Sequence, residues 1–272
     1  MEAGDASASA AAAMEGTMSF SNAPKAGAAT TEYSACALVP FSFRNPFHDA
    51  LRDATRWLPI AGKRIRIDQA WQSDGRGGTA LGFGASVYDA AIALSLYLAA
   101  HRDLVKGNRV IELGCGPGLV GVVAAHLEPK SVVITDGDPA SVALTQRNIK
   151  VNDISEEVCT AGEYLWGDLE HPLVPKVGGH DHYDVILGAD IVACPYASAF
   201  DGLMKSFLEL AGPKTLLLLA YKKRQHSEEE FFKKFEKLFD IEQIDRSELH
   251  PDFQGGDIVI FQARLRVDSN EE

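Results

Sequence analysis

Cysteine is scarce. There are four in 272 residues (Cys36, Cys115, Cys159, Cys194), with no CxxC pair and no histidine at metal-ligand spacing. That excludes a disulfide-stapled scaffold and a zinc module, and a reducing compartment is the simpler expectation. Long apolar runs are lacking as well. The longest, from Thr215 to Tyr221, has strand length, against the ~18 or more apolar residues that a membrane helix needs. No membrane partner is expected. Positive charge is in deficit, with 26 Lys+Arg against 38 Asp+Glu and a net charge of −12. Proteins that grip nucleic acid through its phosphates carry the opposite excess, so no nucleic acid is expected either. An acidic surface instead favours cationic partners. What remains is an ordinary globular composition, 46% apolar and 24% charged, compatible with one large domain or two small ones.

The first thirty residues hold eleven Ala, few large apolar side chains and a single cation, Lys25. So little burial is on offer that residues 1–30 are expected to be a disordered tail. They lack the charged and apolar regions of a secretory signal. Glu2, Asp5 and Glu15 also argue against a transit peptide. A cytoplasmic location, with the nucleus as a second, is the expectation. Residues 31–108 read as a lead of short strands and a helix, 109–266 as the core domain, and 267–272 as an acidic tail.

From Arg109 onward short β-branched runs alternate with amphipathic segments. Strands are expected at 109–113, 131–135, 158–161, 184–187 and 214–220. Helices are expected at 117–127, after the Asp138-Pro139 cap signal, through Leu203, Phe207 and Leu210, and at 228–239. A closing pair, 241–244 and 258–264, would lie antiparallel at one edge. The pattern is α/β: a Rossmann-like, mostly parallel sheet with helices on both faces. In the lead, 63–69 alternates like an exposed-face strand, 75–84 is a Gly-rich turn region, and 87–100 reads as a helix.

The most informative stretch is Glu112-Leu-Gly-Cys-Gly-Pro-Gly-Leu-Val-Gly121, at the junction of the first core strand and helix. Gly114, Gly116 and Gly118 let the backbone pass close to a ligand at the carboxyl end of the strand, where open α/β sheets bind nucleotides. Two ligands compete. Gly116-x-Gly118-x-x-Gly121, with Asp136 twenty residues after Gly116, formally matches a dinucleotide site. Glu112, however, would point into the cleft, where a carboxylate repels a pyrophosphate but suits the ammonium of S-adenosylmethionine. The sum favours the sulfonium cofactor. The His180-Asp-His182 cluster sits in a Gly-containing loop and reads as an exposed polar turn, so no metal is expected.

With these motifs the sequence resembles the lysine methyltransferases of the seven-β-strand, methyltransferase-like group. The resemblance spans about residues 55–264. It rests on Ile65-Arg-Ile-Asp-Gln69 with Trp71, Val87-Tyr-Asp-Ala-Ala91, the glycine loop, Ile134-Thr-Asp136, Leu165-Trp-Gly167 and Ile186-Leu-Gly-Ala-Asp-Ile-Val192. It implies a seven-stranded sheet, S-adenosylmethionine as cofactor and a lysine on a protein substrate as acceptor. It also implies roles for particular residues. Tyr88, where the family usually has Trp, would line the methionine end. Gly114, Cys115 and Gly116 would wrap the methionine and ribose, Asp136 would bind the ribose hydroxyls, Trp166 would pack on adenine, and Ala189 would touch the cofactor with its backbone.

The family's D-x-x-Y motif reads Asp190-Ile-Val-Ala193 here: the acid is present and the tyrosine is not. Tyr196, after Cys194-Pro195, is the candidate for a displaced hydroxyl ring, so Asp190 and Tyr196 are the expected catalytic pair. The expected activity is methylation of a lysine on a non-histone intracellular protein, with a basic target fitting the acidic enzyme and a monomer as the acting form. The rivals are a cofactor-binding scaffold without turnover and a small-molecule methyltransferase.

Overall fold

Strands that are apolar on both sides can be stable only between two layers of helices, and that is how this chain uses its Val, Ile and Leu runs. The structure, a computed structural model, describes residues 49–73, 81–175, 182–192, 199–223 and 227–266, all within the unit that spans residues 47–272. It opens with a hairpin, β1 (Thr55–Ile60) and β2 (Lys63–Asp68), followed by α1 (Asp89–Ala100). Alternation then begins with β3 (Arg109–Leu113), α2 (Leu119–Ala125), β4 (Ser131–Asp136), α3 (Pro139–Val151) and β5 (Cys159–Glu163). It continues through β6 (Tyr183–Ala189), α4 (Phe200–Leu210), β7 (Ala211–Lys222) and α5 (Ser227–Phe235), and closes with β8 (Phe239–Gln243), the single turn α6 (Pro251–Gln254) and β9 (Ile258–Leu265).

The main sheet has seven strands in the order β5-β4-β3-β6-β7-β9-β8. The first five run parallel, whereas β9 is antiparallel to both β7 and β8. The expected architecture is therefore present, including the antiparallel last pair. Strand order reverses at β3 and β6, which opens the crevice at the carboxyl ends where the glycine loop begins. One core cluster joins the hairpin, α1 and α2 to one face of the sheet, and a second, rich in phenylalanine, joins α4 and α5 to the other.

Several boundaries differ from the sequence expectation, each for a local reason. α2 starts at Leu119, because Gly118 takes a left-handed N-cap conformation (φ +82°) that no helix can include. α3 starts as expected, with Asp138 accepting the Ala140 N–H and Pro139 in the first turn. α5 ends at Phe235 instead of running to 239. Phe239 opens β8, and its ring stacks on Phe235 at a centroid distance of 4.4 Å.

The hairpin is fastened to α3 by two asparagines that imitate a strand edge. The Asn152 amide accepts from the Arg66 N–H (3.0 Å) and donates to the Arg66 carbonyl (2.7 Å). Asn148 does the same at Asp68 (2.9 and 3.0 Å) and also donates to the Pro117 carbonyl in the glycine loop at 2.8 Å. Gln69, just beyond β2, accepts the Val87 N–H at 2.8 Å and so braces the start of α1. The hairpin is thus wired to the two segments that border the crevice.

Candidate functional site

The glycine loop is held by its neighbours. The Cys115 N–H donates to the Thr135 carbonyl (3.0 Å), and the Thr145 hydroxyl on α3 donates to the Gly116 carbonyl (2.9 Å). Asp136, at the end of β4, spans the gap: one carboxylate oxygen accepts the Gly116 N–H at 2.9 Å and the other the Asp138 N–H at 3.0 Å. Burial raises the Asp136 pKa, against the lowering pull of these N–H donors. Burial also pushes the Cys115 thiol well above its usual range, with the nearby Glu112 and Asp136 charges adding to it. Cys115 is therefore a small packing residue of the loop, not a reactive thiolate.

Glu112 lies beneath the loop. It is 2% exposed, and one of its oxygens accepts the Gly121 N–H at 2.7 Å. Loss of water, with the nearby Asp136 charge adding to it, outweighs the Gly121 hydrogen bond and raises its pKa to about 8. A buried carboxyl of this kind gains most from a cation placed beside it.

These groups line a cavity of about 860 Å³ at the carboxyl ends of β3, β4 and β6. Tyr88, Glu112, Gly114, Cys115, Gly116, Asp136, Trp166, Ala189 and Asp190 all stand on its wall, so the structure brings together nine of the residues singled out in the sequence. Gly118 does not stand there. Its α-carbon is turned toward Thr145, where an added Cβ would come within 2.6 Å of the Thr145 methyl, and its role is to turn the chain into α2. Tyr196 and Ala193 lie outside the described residues.

Trp166 stands on the wall near Gly114. Its ring edge sits 3.1 Å from where a Cβ on Gly114 would stand, whereas Leu165 packs beside Gly137 at the Asp136 end and is 67% exposed. Leu165, Phe83 and Ser141 are wall residues that sequence reasoning missed. For Ser141 a signal existed: it stands three residues after the Asp138 cap and so shares the first-turn face of α3. Phe83 carried none, since an aromatic in a glycine-rich turn has no periodicity to follow.

Asp190 follows β6 in a left-handed conformation (φ +58°), one that a non-glycine residue adopts only where its surroundings hold it. Here the Asp190 N–H donates to the Ala220 carbonyl at 2.7 Å, and its carboxylate accepts the Lys222 N–H at 2.9 Å. The β6–β7 edge thereby aims an acid at the cavity. Among the described residues no group of His, Cys, Asp and Glu could hold a metal ion.

The residues fit an adenosyl sulfonium. A buried acid suits its ammonium, an acid at the end of β4 suits a ribose diol, and the wall contains a buried hydroxyl, Ser141 Oγ, without a partner. Fold and site together define a Rossmann-like, nucleotide-type binding site at a strand-order reversal. Comparison with known proteins narrows this. A family model described as lysine methyltransferase matches residues 70–238. The Danio rerio protein named Protein N-lysine methyltransferase METTL21A is 35% identical over 239 residues, 87% of this chain and 99% of that one. The mouse (Mus musculus) EEF1A lysine methyltransferase 3 is 33% identical over 189 residues, 69% of this chain and 74% of that one. A solved Streptococcus mutans protein, proposed to be a SAM-dependent methyltransferase, shares the fold with TM-score 0.51 at 15% identity over 78% of this chain and 56% of its own. The chain belongs to the lysine methyltransferase family. It is an S-adenosylmethionine-dependent enzyme that methylates lysine on a protein.

Proposed function

We propose that the acceptor is a lysine on a basic, non-histone protein of the cytoplasm or nucleus, that the enzyme acts as a monomer, and that Asp190 receives the incoming ammonium. The observation that carries this reading is the Asp190 carboxylate, held in a left-handed turn on the cavity wall beside apolar Ile191. A free lysine, with pKa near ~10.4, is almost wholly protonated at neutral pH and cannot act as a nucleophile. An acid at the mouth attracts it, and apolar walls then disfavour the charge and release the proton to solvent. Bound S-adenosylmethionine supplies a methyl group on sulfonium sulfur, open to in-line displacement by an amine lone pair. Glu112 would hold its ammonium, Gly114 to Gly116 its methionine and ribose, Asp136 the ribose hydroxyls, and Leu165 and Trp166 its apolar surface. Tyr88 would line the methionine end, and Tyr196, on sequence grounds alone, is the ring proposed to hold the amine in line. Catalysis is then chiefly a matter of positioning.

The test is transfer of labelled methyl from S-adenosylmethionine into extract proteins, followed by mapping of the labelled residue. Label on lysine of a basic protein supports the reading, whereas label in extractable metabolites overturns it. In the same assay Asp190→Ala should lower turnover about 100-fold or more while the affinity for S-adenosylhomocysteine stays within about threefold. A wild-type rate would remove Asp190 from the mechanism. Tyr196→Phe and Tyr196→Ala test the displaced ring, and unchanged turnover in both refutes that role.

A further inference from the structure

Four buried side-chain atoms among the described residues have no hydrogen-bond partner: Ser95 Oγ, Ser141 Oγ, His182 Nδ1 and Glu228 Oε1. Only Ser141 lines the cofactor cavity. It is 1% exposed, on the first turn of α3, and its oxygen lies under the backbone of Gly84, which crosses directly over the glycine loop. A hydroxyl left in this state costs free energy. Packing does not require the oxygen, since alanine would fill the same Cβ position.

Its surroundings point to one ligand group. A Cβ added at Gly84 would run into the Ser141 hydroxyl and would also stand 3.8 Å from the Gly116 Cα, and the Gly116 N–H is the one held by Asp136. The Asp136 carboxylate and the Ser141 hydroxyl therefore stand on the same side of the cavity, around Gly116. An ionised carboxylate can only accept hydrogen bonds, so it can satisfy the O–H donors of a ribose diol but not the lone pairs of its oxygens. Those need a donor, and Ser141 has one to spare. We propose that Ser141 donates a hydrogen bond to a ribose hydroxyl of bound S-adenosylmethionine, completing with Asp136 a donor-and-acceptor pair for the diol. This rests on the cofactor assignment and on the Asp136 role above.

The test uses the full chain and S-adenosylhomocysteine together with its 2′-deoxy and 3′-deoxy analogues. Affinity is measured by calorimetry and ligand-free stability by thermal melting, for the wild type and Ser141→Ala. Two effects of opposite sense are expected. The melting temperature of ligand-free Ser141→Ala is unchanged or higher, because an unsatisfied buried hydroxyl is gone. Its affinity for S-adenosylhomocysteine falls about 5- to 10-fold. With the analogue lacking the contacted hydroxyl, wild type and Ser141→Ala bind alike, which closes a chemical double-mutant cycle. A Ser141→Ala affinity within twofold of wild type overturns the proposal, and so does a loss that persists with both deoxy analogues. A lower melting temperature with unchanged affinity assigns the serine a structural role and overturns it too. Wild-type binding of S-adenosylhomocysteine is the control: its failure indicts the cofactor assignment, not Ser141.

Discussion

A few side chains set the chemistry of the pocket through what they are denied. Glu112 is denied water, so its carboxyl holds a proton up to about pH 8 in the ligand-free protein. Its folded pKa exceeds its unfolded one, so the folded state binds the extra proton between about pH 4.5 and 8. Stability must therefore fall as pH rises through that window, by up to about 1.4 kcal/mol per pH unit. Asp136 shifts in the same sense, so the Glu112 share is isolated by substitution. Glu112→Gln should flatten the pH dependence of ligand-free melting between pH 6 and 8; an unchanged slope would show that Glu112 is not the titrating group. Gly118 is denied a side chain. Gly118→Ala would place a Cβ in a left-handed turn and against Thr145, the residue that holds the Gly116 carbonyl. A cost of about 2–4 kcal/mol is expected, read as a drop of about 5–12 °C in melting temperature. Both residues were legible in the sequence as members of the loop. What was not legible was that Gly118 faces Thr145 while Gly116 lines the cavity, because a motif records spacing and not which way each α-carbon faces.

Among the elements, the hairpin and α3 show how a lead segment becomes part of a site. The alternation of 63–69 was readable as a strand, yet nothing in it named a partner. The partner is a helix. Asn148 on α3 and Asn152 at its C-cap stand one turn apart and present their amides to Asp68 and Arg66 as a neighbouring strand would. Asn148→Ala, at a fully buried side chain, would strand the part-buried backbone groups of Asp68 and the buried Pro117 carbonyl. A loss of about 3 kcal/mol or more is expected, with faster amide exchange in both the hairpin and the glycine loop. Asn152→Ala should cost less, since its partly buried site admits water, and should leave the Pro117 contact intact. Equal effects of the two would refute the link from hairpin to loop. The same distinction explains the shortened α5. The pattern of 228–239 is helical to its end, but Phe239 gains more by joining the aromatic cluster from a strand.

For the whole molecule, charge and core act separately. The sheet and its two apolar layers account for the fold; the net charge of −12 acts on approach. If the acceptor protein is basic, as proposed, raising salt from about 0.05 to 0.3 M should increase KM severalfold and leave kcat nearly unchanged, because screening weakens encounter and not the chemistry. A KM that does not respond to salt would argue against a basic target. Light scattering that reports a dimer would overturn the monomer reading.

The order of strands and helices, the glycine loop with its flanking acids and the family likeness could all be read from the chain alone, since they are local patterns: periodicity, caps and spacing repeated in one order. Only the folded structure decided which of those residues share a wall. It left Ser141 without a partner beneath Gly84, turned Gly118 away from the cavity and put Leu165 beside Gly137. Those outcomes depend on elements far apart in sequence meeting at one point, and on the water that their meeting drives out.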